Sequence, residues 1–338
     1  MKRAQIFRRW MAALSMVAIV AMSASCTRKL IFEYEGDCGV YYNIRFKYDY
    51  NIKFANAFAN EVNSVALYVF DQSQTLVNTI VTTDKEELSK DNFEIQLELT
   101  PGHYTLLSWS GLMNEESFDL LPEAEIGKTT LQEMKVRMHR TNAIQQSDLK
   151  PLYHGMLSLD VTDQPGTYTQ TISLMKNTNV IRLLLHEMSG HPMSSDQFAF
   201  EITDKNGLYN YDNSRLDDEA ITYKPWHTDS IFAQTEEASR ATAINAVLAE
   251  LTIGRMSADS SPILTVKSTQ TGATVLRIPI ADYALLVKGN YRAGMGDQEY
   301  LDRQDEYSMT FFLEEGEWVS SMIMINSWRV VINDTGLN

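Results

Sequence analysis

Hydrophobic and polar positions alternate with a period of two along much of this chain. Val40, Tyr42, Ile44, Phe46 and Tyr48 fall on one parity, with Asn43, Arg45 and Lys47 on the other. Successive side chains of a strand point to opposite faces, so this pattern predicts a half-buried β-strand. A polar connection follows, carrying Phe54 and Phe58 at the four-residue spacing of one or two helical turns. Residues 65–71 alternate again, Val65, Leu67 and Val69 against Ala66, Tyr68 and Phe70, and the run stops at Asp71. The apolar positions of this block are predicted to form the core of a β-sandwich.

The same reading continues along the chain. A return strand is expected over 75–81, a charged loop over 82–92 and an alternating strand over 93–99. Pro101-Gly102 then makes a turn, proline pre-setting the first φ and glycine tolerating the second, before a strand over 104–109. The two strands are predicted to pair as a hairpin. Residues 112–145 are weakly patterned, a long excursion with regular structure only over 131–138. Closing strands follow over 152–161 and 168–175. Asn177, Thr178 and Asn179 form a polar break, which marks the boundary between two domains. Beyond it, 180–185 and 198–202 read as buried strands, and 204–218 as a loop rich in Asn, Asp and Tyr. Residues 241–256 carry alanines that favour helix, but Val247, Ala249, Leu251 and Ile253 alternate, so a strand is expected. A hairpin over 263–278 turns at Thr271-Gly272, a short helix covers 280–286, and strands over 308–313 and 318–332 flank a tight turn at 314–317. The expectation is an all-β protein of two β-sandwich domains in tandem, 26–176 and 177–338.

Composition narrows the function classes. A length of 338 residues suits two domains, and 44% hydrophobic with 22% charged residues excludes a disordered chain. The formal net charge of −15 repels phosphate backbones, which argues against a nucleic-acid partner. Residues 1–25 have the form of a signal peptide: Lys2, Arg3, Arg8 and Arg9, then an apolar stretch over 11–22 too short to span a bilayer. Ser23-Ala24-Ser25 precede Cys26, an arrangement that resembles a bacterial lipobox, with Ser23 where leucine is usual. Cys26 is therefore the expected lipidation site, each buried CH₂ of an acyl chain contributing about 0.8 kcal/mol to anchoring. The other reading is ordinary cleavage near Ser25 with Cys26 incidental. Cys26 and Cys38 are the only cysteines, so lipid on the first leaves Cys38 without a disulfide partner and best read as a small buried hydrophobe.

Catalytic chemistry finds little support. His186, Glu187 and His191 are spaced HExxxH, whereas a zincin needs HExxH on one helical face, and Gly190 and Pro192 flank the second histidine. The acidic loop from 204 to 218 lacks the order of an EF-hand. No nucleophile elbow, P-loop or dinucleotide fingerprint is present. The expectation is no catalytic residue, no metal site and no cofactor.

Several segments carry a family resemblance. They are Asp37-Cys38, YDYN at 48–51, FANAF at 54–58, VALYVFD at 65–71, QEYLDR at 298–303, YSMTFFL at 307–313 and WVSSMIMINSWRV at 318–330. Together they resemble the Bacteroidetes fimbrial anchor family, the FimB-like lipoproteins, and LTPGHYTLLSW at 99–109 resembles the strand–PG–strand turn of transthyretin-like sandwiches. The resemblance implies two transthyretin-like domains in a non-catalytic outer-membrane lipoprotein that anchors a surface fimbria and limits its assembly. In that family polymerising subunits lose an N-terminal strand by proteolysis, and the anchor keeps its lipidated end. The implied partners are fimbrillin subunits, joined by strand addition. The C-terminal strand is the candidate contact, through Trp318, Met322, Met324, Asn326 and Trp328. The same strand also reads as an internal core strand. The alternative function is a surface lipoprotein that captures glycan or a host protein; an exposed Trp/Tyr cluster would favour it.

Overall fold

The computed structural model describes residues 39–113, 117–235, 242–289 and 294–331, and β-strands dominate them. Cys26 and Cys38, and with them the segment expected to be a signal peptide, lie outside the described residues. The first half contains β1 (Val40–Lys47), β2 (Val65–Phe70), β3 (Leu76–Thr82), β4 (Glu94–Glu98), β5 (Gly102–Ser110), β6 (Phe118–Leu121), β7 (Lys135–Met138), β8 (Ile144–Gln145), β9 (Tyr153–Val161), β10 (Gly166–Ser173) and β11 (Met175–Lys176). A sheet of order β10-β1-β4 packs on a second of order β11-β9-β5-β2-β3. Ile44 and Phe46 of β1, Leu97 of β4, Leu67 of β2 and Leu106 of β5 meet in the core between them.

All six residues of β2 are buried, so its two parities do different work. Val65, Leu67 and Val69 fill the first sandwich, whereas Ala66, Tyr68 and Phe70 join Leu107 and Trp109 in a second apolar cluster. A sheet covered on both faces loses its polar parity, which is why VALYVF is apolar throughout. The expected hairpin at Pro101-Gly102 is an arch instead. Strand β4 pairs with β1, whereas β5 pairs with β2 and β9, so the chain crosses from one sheet to the other. The Tyr104 hydroxyl donates to the Thr100 carbonyl at 3.0 Å and clamps that corner.

The second half contains β12 (Thr178–Glu187), β13 (Phe198–Asp204), β14 (Leu208–Asn210), β15 (Ile221–Tyr223), β16 (His227–Thr235), β17 (Thr242–Gly254), β18 (Ile263–Ser268), β19 (Thr274–Pro279), β20 (Glu306–Glu314), β21 (Glu317–Ile325) and β22 (Trp328–Val331). Its larger sheet has the order β16-β17-β12-β20-β21-β22, with β12 and β20 parallel, and its second sheet the order β19-β18-β13-β15-β8. Leu183, Leu251, Phe311 and Ile325 of the first meet Phe200, Leu264 and Ile278 of the second in one cluster. The short helices Ile280–Leu285 and Asp297–Arg303 bury Ile280, Ala284, Tyr300 and Leu301 against it.

The stretch from 112 to 145 is more structured than its pattern suggests, and it serves the second half. Strand β8 runs parallel to β15 and completes its sheet, and β7 bridges β6 to β14. Leu112, Met134, Val136 and Met138 enter the same cluster as the second sandwich. The polar residues around 177 are buried, not solvated. Asn177 and Asn213 exchange side-chain hydrogen bonds at 2.6 and 3.2 Å, and Arg255 donates its backbone N–H to the Asn177 carbonyl at 2.9 Å. The Asn179 side-chain oxygen accepts from Met256 N–H at 3.1 Å. Beside them, Lys176 places its ammonium 2.6 Å from Asp305 and 3.4 Å from Glu61. Burial opposes that charge, but the two carboxylates prevail and hold the lysine above its ordinary pKa.

Candidate functional site

The C-terminal strands form one edge of the six-stranded sheet. Strand β20 alternates buried Tyr307, Met309, Phe311 and Leu313 with outward residues, and β21 returns antiparallel to it, Met309 opposite Ile325 and Phe311 opposite Ile323. The pairing then slips: Phe311 faces Ile323, but Leu313 faces Trp318. This irregularity changes the parity of β21, so Trp318 turns inward and lies edge-on to Phe311 with ring centroids 5.9 Å apart.

The expected single strand from 318 to 332 is broken at Asn326-Ser327. Both residues have positive φ, 47° and 69°, and Ile325 pairs directly with Trp328. That is the geometry of a two-residue type I′ turn, which matches the twist of the flanking strands. The Asn326 side chain accepts from Ser308 N–H at 2.8 Å, tying the turn to β20. Residues opposite one another in an antiparallel pair share a face, so the turn divides the five candidate residues. Met322 and Met324 lie half-buried on the outer face, opposite Val331 and Arg329. Trp328 follows Ile325 and Ile323 on the inner face, but at the rim, where it is 56% exposed. It stands with Leu286, Val287 and Val330 around a recess of about 120 Å³. The structure thus brings Met322 and Met324 together, places Trp328 on the opposite face, packs the half-buried Trp318 against the core and sets Asn326 in the turn.

The HExxxH residues have structural partners. The buried Glu187 carboxylate accepts from the backbone N–H groups of Ser189, Glu315 and Gly316 at 3.0, 3.2 and 3.1 Å, fastening the β20–β21 turn to the end of β12. His186 packs its ring 5.6 Å from that of Phe312, and His191 Nδ1 lies 2.7 Å from the Ser189 hydroxyl. In the acidic loop Asp204 faces Arg215 at 3.5 Å, and Asp212 accepts from Ser214 N–H at 3.0 Å. Among the described residues no group of three or more His, Cys, Asp or Glu side chains is placed to hold a metal ion, and no helix is long and apolar enough to cross a membrane.

Comparison with known proteins gives these surfaces a context. The family model described as fimbrillin-A associated anchor proteins Mfa1 and Mfa2 matches residues 34–334. The chain belongs to this anchor family. Membership associates it with cell-surface fimbriae and their fimbrillin subunits. An adhesin candidate from Bacteroides thetaiotaomicron VPI-5482 has a similar structure, with 36% identity, a TM-score of 0.79 and coverage of 89% of this chain and 100% of that one. A candidate polysaccharide-binding protein from the same organism matches with 27% identity and a TM-score of 0.75, covering 88% and 99%. The fimbrial anchor protein Mfa2 from Porphyromonas gingivalis shares the fold, with a TM-score of 0.65 at 16% identity and coverage of 87% and 99%. A search of the curated proteins returns no match. The family match and the likeness to the anchor protein give the fold read from alternation as that of a fimbrial β-sandwich protein.

Proposed function

We propose that this protein is a non-catalytic outer-membrane lipoprotein that holds a surface fimbria to the cell and ends its growth. The family match over residues 34–334 carries this reading. Cys26 bears the lipid, and the segment before it is a lipoprotein signal peptide removed on export. The remaining chain forms two transthyretin-like sandwiches, 26–176 and 177–338, the second of which meets the fimbrillin subunit.

The contact is the C-terminal hairpin. Strand β22 is the edge of its sheet among the described residues, and an edge strand presents backbone N–H and C=O groups to which an incoming strand can add. Trp328 and Leu286, both exposed at that rim, supply an apolar shelf for the added strand. The buried residues Ile323 and Ile325 keep β21 in the core, so the hairpin is at once a structural and a contact element.

Immunogold microscopy with fractionation of sheared fimbriae tests the proposal. In wild-type cells label should mark the cell-proximal ends of fimbriae, and Cys26→Ala should release those fimbriae into the medium. Trp328→Ala should leave the protein folded and membrane-bound while fimbriae detach from it. A protein that stays on the membrane in the Cys26→Ala strain, with no fimbriae associated in either strain, overturns both the lipid site and the anchor role.

A further inference from the structure

We infer that the cleft between the loop after β1 and the helix Asp297–Arg303 is a saccharide-binding site. The cleft has a volume of about 580 Å³, and its walls include Lys47, Asp49, Tyr50, Phe54, Ser173 and Arg303. The two halves of the chain meet here, which is where ligand clefts of this size commonly form.

Phe54 marks the site. Its ring is 57% exposed, and its φ of 54° puts a bulky side chain in the left-handed region that only glycine enters freely. Such a conformation persists only where the surroundings over-determine it, and it gathers at ligand clamps. The surroundings here do so. Asn51 is buried, and its amide donates to the carbonyls of Tyr48 and Ala55 at 2.9 and 2.7 Å. Its side-chain oxygen accepts from Lys53 N–H at 3.1 Å, and its carbonyl accepts from Phe54 N–H at 3.1 Å. Asn56 accepts from the backbone N–H groups of Tyr48 and Phe58 at 2.9 and 3.2 Å. Two asparagines thus lock a loop whose product is an aromatic ring held out over a cleft.

The second wall comes from the other half of the chain. The Arg303 guanidinium carbon lies 4.1 Å from the Tyr50 ring centre and 4.6 Å from that of Phe54. Its Nε donates to Glu299 at 2.8 Å and its Nη1 to the Asp49 carbonyl at 3.3 Å, and Ile52 N–H donates to the Arg303 carbonyl at 2.8 Å. The Nη2 edge makes no hydrogen bond to a described residue. Lys47 and Asp49 face each other at 2.9 Å beside it.

This mixture selects the ligand class. An anion would gain from Lys47 and Arg303 but be repelled by Asp49. A sugar hydroxyl both donates and accepts, so adjacent hydroxyls can bridge a carboxylate and an ammonium at once. The apolar C–H face of a pyranose ring matches the exposed face of the Phe54 ring that Arg303 does not cover. The site is independent of the fimbrial contact at β22.

A printed array of mammalian and bacterial glycans, probed with the full protein, tests the inference. Wild type should retain at least one glycan class, Phe54→Tyr should retain the same class, and Phe54→Gly should weaken it about tenfold, the loss of one aromatic stack. Glycine suits the left-handed backbone, so the melting temperature of Phe54→Gly should be unchanged or higher. Binding lost together with a lowered melting temperature would show only structural damage and overturns the assignment. So does an array that retains nothing, or binding that survives Phe54→Gly.

Discussion

His154 lies in β9 with its ring edge-on to Trp109, centroids 4.7 Å apart, and its Nε2 donates to the Tyr211 carbonyl at 2.8 Å. Burial disfavours the charged imidazolium and pushes its pKa down from 6.5 to about 4, only partly offset by the Tyr211 carbonyl and Asp212. The folded value lies below the unfolded one, so the unfolded chain takes up the proton first as pH falls. Its contribution is complete above pH 6.5 and is lost as pH drops toward 4, at up to about 1.4 kcal/mol per pH unit. Urea unfolding of wild type and His154→Gln across that range should show the two stabilities converging toward acid; a constant gap contradicts this. No sequence signal marks His154, because one histidine in an alternating strand reads alike whether buried or exposed. The same limit misplaced Asn177 and Asn179. Polar residues between strands suggest solvent, and their burial follows from backbone groups of Met256 and Arg255 that come from far along the chain.

At the scale of elements, long alternation was legible and short strands were not. Strands β1, β2, β12 and β17 carry enough consecutive residues for a period of two to emerge, whereas β8 has two residues and β14 three. The helix Asp297–Arg303 and strand β16 also escaped notice, the latter because HTDSIFAQT has few apolar residues. The arch at Pro101-Gly102 shows that turn chemistry fixes a reversal but not the sheet that receives it. At the candidate contact, Asn326-Ser327 hid a turn for lack of the glycine that usually announces one. Ser327 holds a φ of 69° with a side chain that pays for it in strain. Ser327→Gly should therefore stabilise the protein by about 0.5–1 kcal/mol, read as a small rise in melting temperature. A fall would show that the serine hydroxyl contributes more than the backbone loses.

For the whole molecule, the first sandwich keeps a core of its own, but Ala66, Tyr68, Phe70, Leu107 and Trp109 on the other face of its sheet enter the cluster that fills the second, so the two halves are joined by one shared apolar cluster. Strands β7 and β8 belong to the first half in sequence and pair with β14 and β15 of the second in space, and β6 joins them through β7. Thermal unfolding should accordingly show one transition. Lys176→Met, which leaves Asp305 and Glu61 without their buried cation, should lower that transition by roughly 3 kcal/mol without splitting it. Two separate transitions in calorimetry would show independent halves. The position of β1 has a mechanical corollary. It lies between β10 and β4, hydrogen-bonded on both sides, and it is the first described strand of the chain. On the proposal that Cys26 carries a lipid, a load drawn in along the N-terminal segment reaches this strand before any other described one, and to pull it free the force must rupture two ladders together. An edge strand in that place would peel along one ladder only. A tether that ends in the middle of a sheet fails late, which is the mechanical property the proposed anchor role would require.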